Sequence, residues 1–126
     1  METIGPATKV TIYIDESDRW HGKPLGMAIL ELLKTTECAG ATVTRGIAGF
    51  GCHSRIRTAS IVDLSADLPL VVEWVDDPAR VEWVMPKLLE MVKKGMITTQ
   101  KVEVITNAGC AQRFAAEDAD GSETLV

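Results

Sequence analysis

The order of strand-like and helix-like segments constrains the fold of this sequence more than any other feature. Four segments carry the apolar, β-branched patterning of strands, and two carry apolar residues at helical spacing. The predicted strands cover residues 9–15, 41–47, 68–75 and 101–106. The two predicted helices follow the first and the third of these strands, so the order is βαββαβ.

Both predicted helices have boundary signals. Pro24 suits the first turn of the first helix, and Gly40 provides a stop. The second helix begins at Pro78, after two aspartates that can cap it, and ends near Gly95. Pro86 lies inside this helix, where its missing backbone N–H predicts a kink or a break.

Right-handed crossovers turn this order into a four-stranded antiparallel sheet with both helices on one face, which is an α+β fold. The other face of the sheet then has no cover. Its apolar side chains need a partner, so a homo-oligomer is expected. The predicted domain covers residues 8–106, and the Ala-, Gly- and acid-rich tail at residues 107–126 is expected to be mobile.

Composition and charge exclude several classes of protein. A length of 126 residues fits one domain, and a net charge of -5 provides no excess of Lys and Arg for binding nucleic acid. The three cysteines form no CxxC pair, which argues against a disulfide framework and a zinc knuckle. The first residues lack the pattern of a signal peptide, and no apolar run has transmembrane length, so a cytoplasmic location is expected.

The connection between the second and third predicted strands is unusually long. A tight hairpin needs only a few residues, whereas residues 52–67 intervene here. Long insertions in compact domains are usually functional or disordered. A modest strand pattern at residues 60–64 leaves two alternatives open, a projecting two-stranded ribbon and a mobile loop. Both forms project from the body and suit a recognition arm.

The start of this loop contains candidate binding residues. Gly49 and Gly51 flank Phe50 and allow close approach of the backbone to a ligand, with amides that can hold phosphate oxygens. Arg55 and Arg57 lie on one side of an extended chain, where they could clamp an anion. The plainer alternative is that the glycines end a strand and the arginines lie on a solvated edge.

The connection at residues 16–22 is a second candidate patch. It gathers Arg19, Trp20 and His21 with two carboxylates, just before a helix N-terminus that favours anions. His21 near Asp18 could act as a general base, but the sequence pairs no nucleophile with it. We therefore predict no catalytic residue and no enzymatic activity.

Metal binding is a further alternative. Cys52, His53 and His21 with a carboxylate are the candidate ligands. Cys52 and His53 are adjacent, and their spacing matches no recognised metal motif, so no metal site is predicted from the residues alone.

Several ungapped runs resemble a prokaryotic domain family of unknown function whose members are often encoded beside, or fused to, fluoride-exporter membrane proteins. The runs are residues 16–25, 40–43, 45–51, 53–56 and 67–69. That family is grouped with the PII-like superfamily of nitrogen-regulatory signal proteins. These are ferredoxin-like trimers that bind adenine nucleotides between subunits and engage a partner, often a membrane transporter or channel, through a long loop.

The resemblance implies a homotrimeric regulatory module with an adenine nucleotide as regulatory ligand and no tightly bound cofactor. Residues 49–51 would form the base of the partner-binding loop, residues 93–101 the phosphate-facing loop, and the segment after Thr106 the C-loop, with Arg113 as its basic residue. The implied nucleotide-binding residues are Gly49, Phe50, Gly51, Arg55, Arg57, Gly95 and Lys101.

Departures from the family pattern refine this expectation. The closely spaced glycines of the PII phosphate loop are absent between Gly95 and Lys101, which favours AMP or ADP over ATP. No tyrosine lies between Gly51 and Leu68, so a uridylylation switch is not expected. The alternative implied by the shared architecture is a divalent-metal-tolerance trimer.

Overall fold

A four-stranded antiparallel sheet forms the centre of the computed structural model, which describes residues 2–52, 54–59 and 67–106. In chain order, the elements are β1 (Glu2–Asp15), β2 (Arg19–Trp20), β3 (Lys23–Pro24), α1 (Leu25–Thr35), β4 (Thr42–Arg45), β5 (Ala48–Gly49), β6 (Arg57–Thr58), β7 (Pro69–Asp76), α2 (Pro78–Met91) and β8 (Met96–Thr106). Within the described ranges, neither helix is long and apolar enough to cross a membrane.

The main sheet has the strand order β4–β7–β1–β8, and all its pairings are antiparallel. The four long strands and two helices therefore follow the predicted βαββαβ order, and the predicted α+β fold is confirmed. The two-residue strands β2–β3 and β5–β6 form separate small hairpins beside this sheet.

Strand β8 starts five residues earlier than predicted, and β1 starts at Glu2 instead of residue 9. The two strands pair along their length, from Glu2 with Thr106 to Tyr13 with Met96. The predicted phosphate-facing loop at residues 93–101 is therefore wrong in part, because residues 96–101 belong to this strand. Since β8 is an edge strand with exposed polar side chains, it lacks the apolar alternation that marks a buried strand.

The core lies between the sheet and the two helices. Alternate residues of β1 and β7 point towards the helices, as their period of two requires. The largest fully buried apolar side chains are Val10, Ile12, Ile29, Leu33, Val72 and Leu88. Burial of one such side chain stabilises the fold by about 1.5–3 kcal/mol, so this layer holds both helices against the sheet.

Helix α2 runs without interruption through Pro86, so the predicted break is wrong. Proline removes the hydrogen bond to the carbonyl of Glu82, but Glu82 and Pro86 both lie on the exposed side of the helix. Water can therefore take the place of the missing N–H. The N-terminus follows the prediction, because the side chain of Asp77 accepts a hydrogen bond from the Ala79 N–H at 3.1 Å.

The sheet face away from the helices is polar in its middle and apolar at one end. Thr11 faces Glu73 and Thr98 across the sheet, whereas Tyr13 faces Val71 and Met96. Tyr13 is 43% exposed and Met96 is 54% exposed. The apolar surface that the predicted oligomer would cover is therefore concentrated around Tyr13.

The long connection begins as a short ribbon. Ala48 pairs with Thr58 and Gly49 with Arg57, and the Ala59 N–H donates to the Ile47 carbonyl at 2.7 Å. The predicted strand pattern at residues 60–64 lies outside the described residues, as does the predicted mobile tail at residues 107–126.

Candidate functional site

A cavity of about 420 Å³ lies at the base of the long loop. Its walls include Phe50–Cys52 from the loop, Lys94–Met96 from the turn between α2 and β8, and Asp15 and Asp18 from the end of β1 and the turn after it. Three predicted binding residues, Phe50, Gly51 and Gly95, therefore meet in one cavity although the last is more than forty positions away along the chain.

Gly95 lies in this wall because no side chain fits at its position. A Cβ atom added there would lie 2.3 Å from the Tyr13 carbonyl oxygen and 2.9 Å from Val92 Cγ1. The turn after α2 therefore packs its backbone directly on β1. Gly49 has a similar but milder constraint, since its added Cβ would lie 3.1 Å from Pro69 Cγ.

Asp18 and Lys94 form the charged part of the cavity wall. The Asp18 side chain is only 9% exposed, and it accepts a hydrogen bond from the Asp15 N–H at 2.9 Å. Lys94 Nζ lies 3.5 Å from Asp18 Oδ1, while the Lys94 side chain is 76% exposed. Asp18 thus holds the end of β1 in place, and the lysine head can turn towards an anionic ligand.

Arg57 lies beside the cavity and contacts two carboxylates. Its Nη1 forms a close ion pair with Asp67 Oδ2 and lies 3.7 Å from Asp15 Oδ1. Asp67 also accepts hydrogen bonds from the N–H and the hydroxyl of Ser17, at 2.8 and 2.6 Å. These contacts tie Asp67, at the end of the long loop, and Arg57, within it, to the end of β1 and the segment that follows.

The remaining predicted binding residues lie outside the cavity lining. Lys101 pairs with Thr8, six residues beyond Gly95 along β8, which corresponds to about 20 Å at the rise of a strand. Arg55 is exposed on the segment at residues 54–59. Within this chain, therefore, neither Lys101 nor Arg55 lies beside Gly95.

The backbone amide of Gly51 already has a partner. It donates to Ser54 Oγ at 2.7 Å, and the Ser54 N–H donates to the Gly51 carbonyl at 3.3 Å. The turn that these bonds close gives the start of the loop a defined shape. A ligand that binds the Gly51 amide would have to displace the hydroxyl.

The second predicted patch forms the β2–β3 hairpin. His21 and Gly22 have φ angles of 49° and 81°, as a two-residue type I′ turn requires. The rings of Trp20 and His21 stack with centroids 4.2 Å apart, and Lys87 Nζ lies 5.4 Å from the centre of the Trp20 ring. Trp20 packs against the core, whereas Arg19 is exposed. The role of this patch is therefore to pack the hairpin against the helices.

The candidate metal ligands are only partly described. Cys52 is exposed and lines the cavity, His21 lies in the hairpin turn, and His53 is outside the described residues. Arg113, which the resemblance places in the loop after Thr106, is outside the described residues as well. Among the residues that the structure describes, no three His, Cys, Asp or Glu side chains are grouped so that they could hold a metal ion.

Sequence reasoning missed Asp15 and Asp67, and it included Lys94 only within the phosphate-facing loop that the resemblance implies, without naming it as a binding residue. The spacing of Asp15 and Asp18, three residues apart at the end of a strand, was an available signal. For Asp67 no local signal exists, because its partners Ser17 and Arg57 are fifty and ten positions away.

Comparison with known proteins identifies relatives. The DUF190 family model, described as "Uncharacterized ACR, COG1993", matches residues 7–104. A UPF0166 protein of Aquifex aeolicus is 37% identical over 97 residues, which are 75% of this chain and 89% of that protein.

Solved structures share the fold. CPII, a nitrogen regulatory PII-like protein from Thiomonas intermedia K12 bound to ADP, AMP and acetate, matches with a TM-score of 0.57 and 13% identity over 84% of this chain and 94% of that chain. The divalent ion tolerance protein CutA1 from Ehrlichia chaffeensis matches with a TM-score of 0.51 and 12% identity, covering 86% and 92%. At these identities the likeness shows the fold alone, and it confirms the predicted PII-like architecture.

Proposed function

Because the chain belongs to the DUF190 family and shares the fold of PII-like proteins, we propose that it is a regulatory protein that binds an adenine nucleotide. The nucleotide binds in the cavity at the base of the long loop, and the loop transmits the binding event to a partner protein. The observation that carries this proposal is the convergence of Phe50, Gly51, Lys94 and Gly95 on one cavity.

The side chains of the cavity suit the two halves of a nucleotide. Phe50 is 71% exposed and offers an aromatic face, on which a base stacks with a gain of about 1–3 kcal/mol. Lys94 offers a mobile cation for phosphate oxygens. Both residues line the same cavity, so one mononucleotide can contact both.

The charges of the cavity favour AMP or ADP over ATP. Lys94 lies 3.5 Å from Asp18, and Asp15 lines the same cavity, so each additional phosphate adds negative charge close to two carboxylates. CPII, which shares the fold, was solved with ADP and AMP. The proposal concerns binding and regulation, with no catalytic step.

The functional unit in this proposal is a homotrimer. The apolar end of the open sheet face, formed by Tyr13, Val71 and Met96, adjoins the cavity and would be covered by a neighbouring subunit. Gly49, Arg55, Arg57 and Lys101 complete the proposed nucleotide site, with Lys101 reaching it from another subunit. The partner is a protein in the cytoplasm or at the membrane, and a transporter or channel such as a fluoride exporter is the first to test.

Isothermal titration of the purified oligomer with AMP, ADP, ATP and cyclic AMP tests the proposal. We expect AMP and ADP to bind, and Phe50→Ala and Lys94→Met to weaken both. Lys34→Met is the matched control, because it removes an exposed lysine on α1 that does not line the cavity. If none of the four nucleotides binds to the wild-type oligomer, the proposal is wrong.

The alternative is a divalent-metal trimer, which the fold shared with CutA1 keeps open. It predicts that purified protein retains metal and that Cys52→Ser and His53→Ala remove it. Metal content that is unchanged in these variants would exclude this alternative.

A further inference from the structure

Arg57 is bound to carboxylates of its own chain beside the cavity in which the proposed nucleotide binds. Its Nη1 contacts Asp67 Oδ2 and lies 3.4 Å from the Asp67 carbonyl oxygen and 3.7 Å from Asp15 Oδ1. Asp15 lines the cavity, so the guanidinium lies one side chain away from the proposed ligand.

The position of Arg57 in the backbone allows its side chain to contact either Asp67 or a phosphate in the cavity. Arg57 pairs with Gly49 across the β5–β6 hairpin, and Phe50 and Gly51, which follow Gly49, line the cavity. On its other side, Asp67 is held by two hydrogen bonds from Ser17. Rotation of the Arg57 side chain would therefore move its guanidinium away from Asp67, at the end of the long loop, and towards the cavity.

We propose that the Asp67 carboxylate is an internal competitor for the ligand's phosphate. This inference rests on the proposed function and adds its means of regulation. Without ligand, Arg57 binds Asp67 and closes the base of the long loop. When a phosphate enters the cavity, Arg57 moves to it and the contact with Asp67 is lost.

The chemistry of the three groups supports an exchange of this kind. Arginine presents a planar fork of donors that fits carboxylate and phosphate equally well. A terminal phosphate carries a charge of about -1.5 to -2 near neutral pH, whereas the carboxylate carries one. The phosphate can therefore displace the carboxylate, although the carboxylate is attached to the same chain.

Linkage gives the exchange two measurable consequences. If the phosphate and Asp67 compete, removing the Asp67 charge must strengthen ligand binding, and ligand binding must loosen the hairpin that carries Arg57. The Ala59 N–H reports on that hairpin, because it donates to the Ile47 carbonyl at 2.7 Å. Its hydrogen exchange should rise when Arg57 leaves Asp67.

The test combines AMP titration with hydrogen exchange on wild-type protein and Asp67→Asn. We expect Asp67→Asn to bind AMP about tenfold more tightly, the size of one charge-assisted hydrogen bond. Its Ala59 N–H should exchange faster without ligand, as that of the wild type should when AMP is added. Arg57→Gln should weaken AMP binding and leave adenosine, which has no phosphate, unaffected.

Glu90→Gln is the matched control, since it neutralises a carboxylate in an exposed ion pair with Lys87 on α2. It should change neither affinity nor exchange. Ser17→Ala keeps every charge and removes one hydrogen bond to Asp67, so it supplies a second, milder test if Asp67→Asn folds poorly. It should shift AMP affinity in the same direction by a smaller factor.

The outcomes separate this inference from the proposed function. If the wild type binds AMP but Asp67→Asn and Ser17→Ala bind it equally or more weakly, competition is refuted and nucleotide binding stands. If AMP binds and protects the Ala59 N–H, the direction of coupling is wrong and the inference fails. If no nucleotide binds to any variant, both proposals fail together.

Discussion

Replacement of Gly95 by alanine tests the packing that builds the cavity wall. The added Cβ would lie 2.3 Å from the Tyr13 carbonyl oxygen, and it would also meet Val92 Cγ1 at 2.9 Å and Ile14 Cγ2 at 3.1 Å. Carbon and oxygen atoms that are not bonded normally stay at least about 3.3 Å apart, so the turn must move by about 1 Å. Two of the three obstacles lie on β1, so the movement separates the turn from the sheet.

The expected cost follows from this geometry. Overpacking of a well-packed site typically costs 1–3 kcal/mol, and a contact with rigid backbone belongs at the upper end, at about 3 kcal/mol. For a domain of this size, each kcal/mol lowers the melting temperature by about 4 °C, so a decrease of about 12 °C is expected. The first pairing of β8, between Met96 and Tyr13, should weaken with it.

Gly40→Ala provides the matched control, because no atom lies within 4 Å of a Cβ added at Gly40. Alanine there should leave stability unchanged or raise it by about 0.4–1 kcal/mol through the unfolded state. Urea denaturation of both variants, with thermal melts followed by circular dichroism, measures the difference. If Gly95→Ala proves as stable as Gly40→Ala, the close approach of the turn to β1 is wrong.

Three further predictions concern the core and the thiols. Burial raises the pKa of the Cys38 thiol, so Cys38 should react with iodoacetamide at pH 8 more slowly than the exposed Cys52, and peptide mapping that shows equal rates would contradict this. Asp76→Ala should lower the free energy of unfolding by roughly 3 kcal/mol in urea denaturation, because the buried Asp76 carboxylate accepts hydrogen bonds from the Ala39 and Asp77 N–H groups. A loss below roughly 1 kcal/mol would refute that role. Leu88→Ala should cost about 2–5 kcal/mol by the same measurement, and a smaller loss would mean that the helix repacks over the fully buried site.

The local sequence pattern was sufficient for most of the fold. The alternation of Val10, Ile12 and Ile14 predicted β1, and the Asp77–Pro78 signal predicted the start of α2. These features act over a few neighbouring residues, so they can be recognised without a structure. The errors occurred at positions exposed to solvent. Proline does not break α2 at Pro86, on the exposed side of the helix, and the edge strand β8 lacks the apolar alternation of a buried strand.

The candidate site was predictable only in part. Phe50, Gly51 and Gly95 were predicted from a glycine pattern and a family resemblance, and they line one cavity. That resemblance also assigned residues 96–101 to a phosphate-facing loop, whereas the pairing of β1 with β8 makes them strand.

The sequence by itself determined the βαββαβ order, the faces of the core strands and the position of the long loop. Only the tertiary structure decided which charges meet at the base of that loop. Asp15, Arg57 and Asp67 come together because the register of β1 against β7 pairs Asp15 with Pro69, two residues after Asp67, and the β5–β6 hairpin brings Arg57 back beside them. Contacts between residues ten to fifty positions apart depend on how strands pair, and local periodicity carries no information on that pairing.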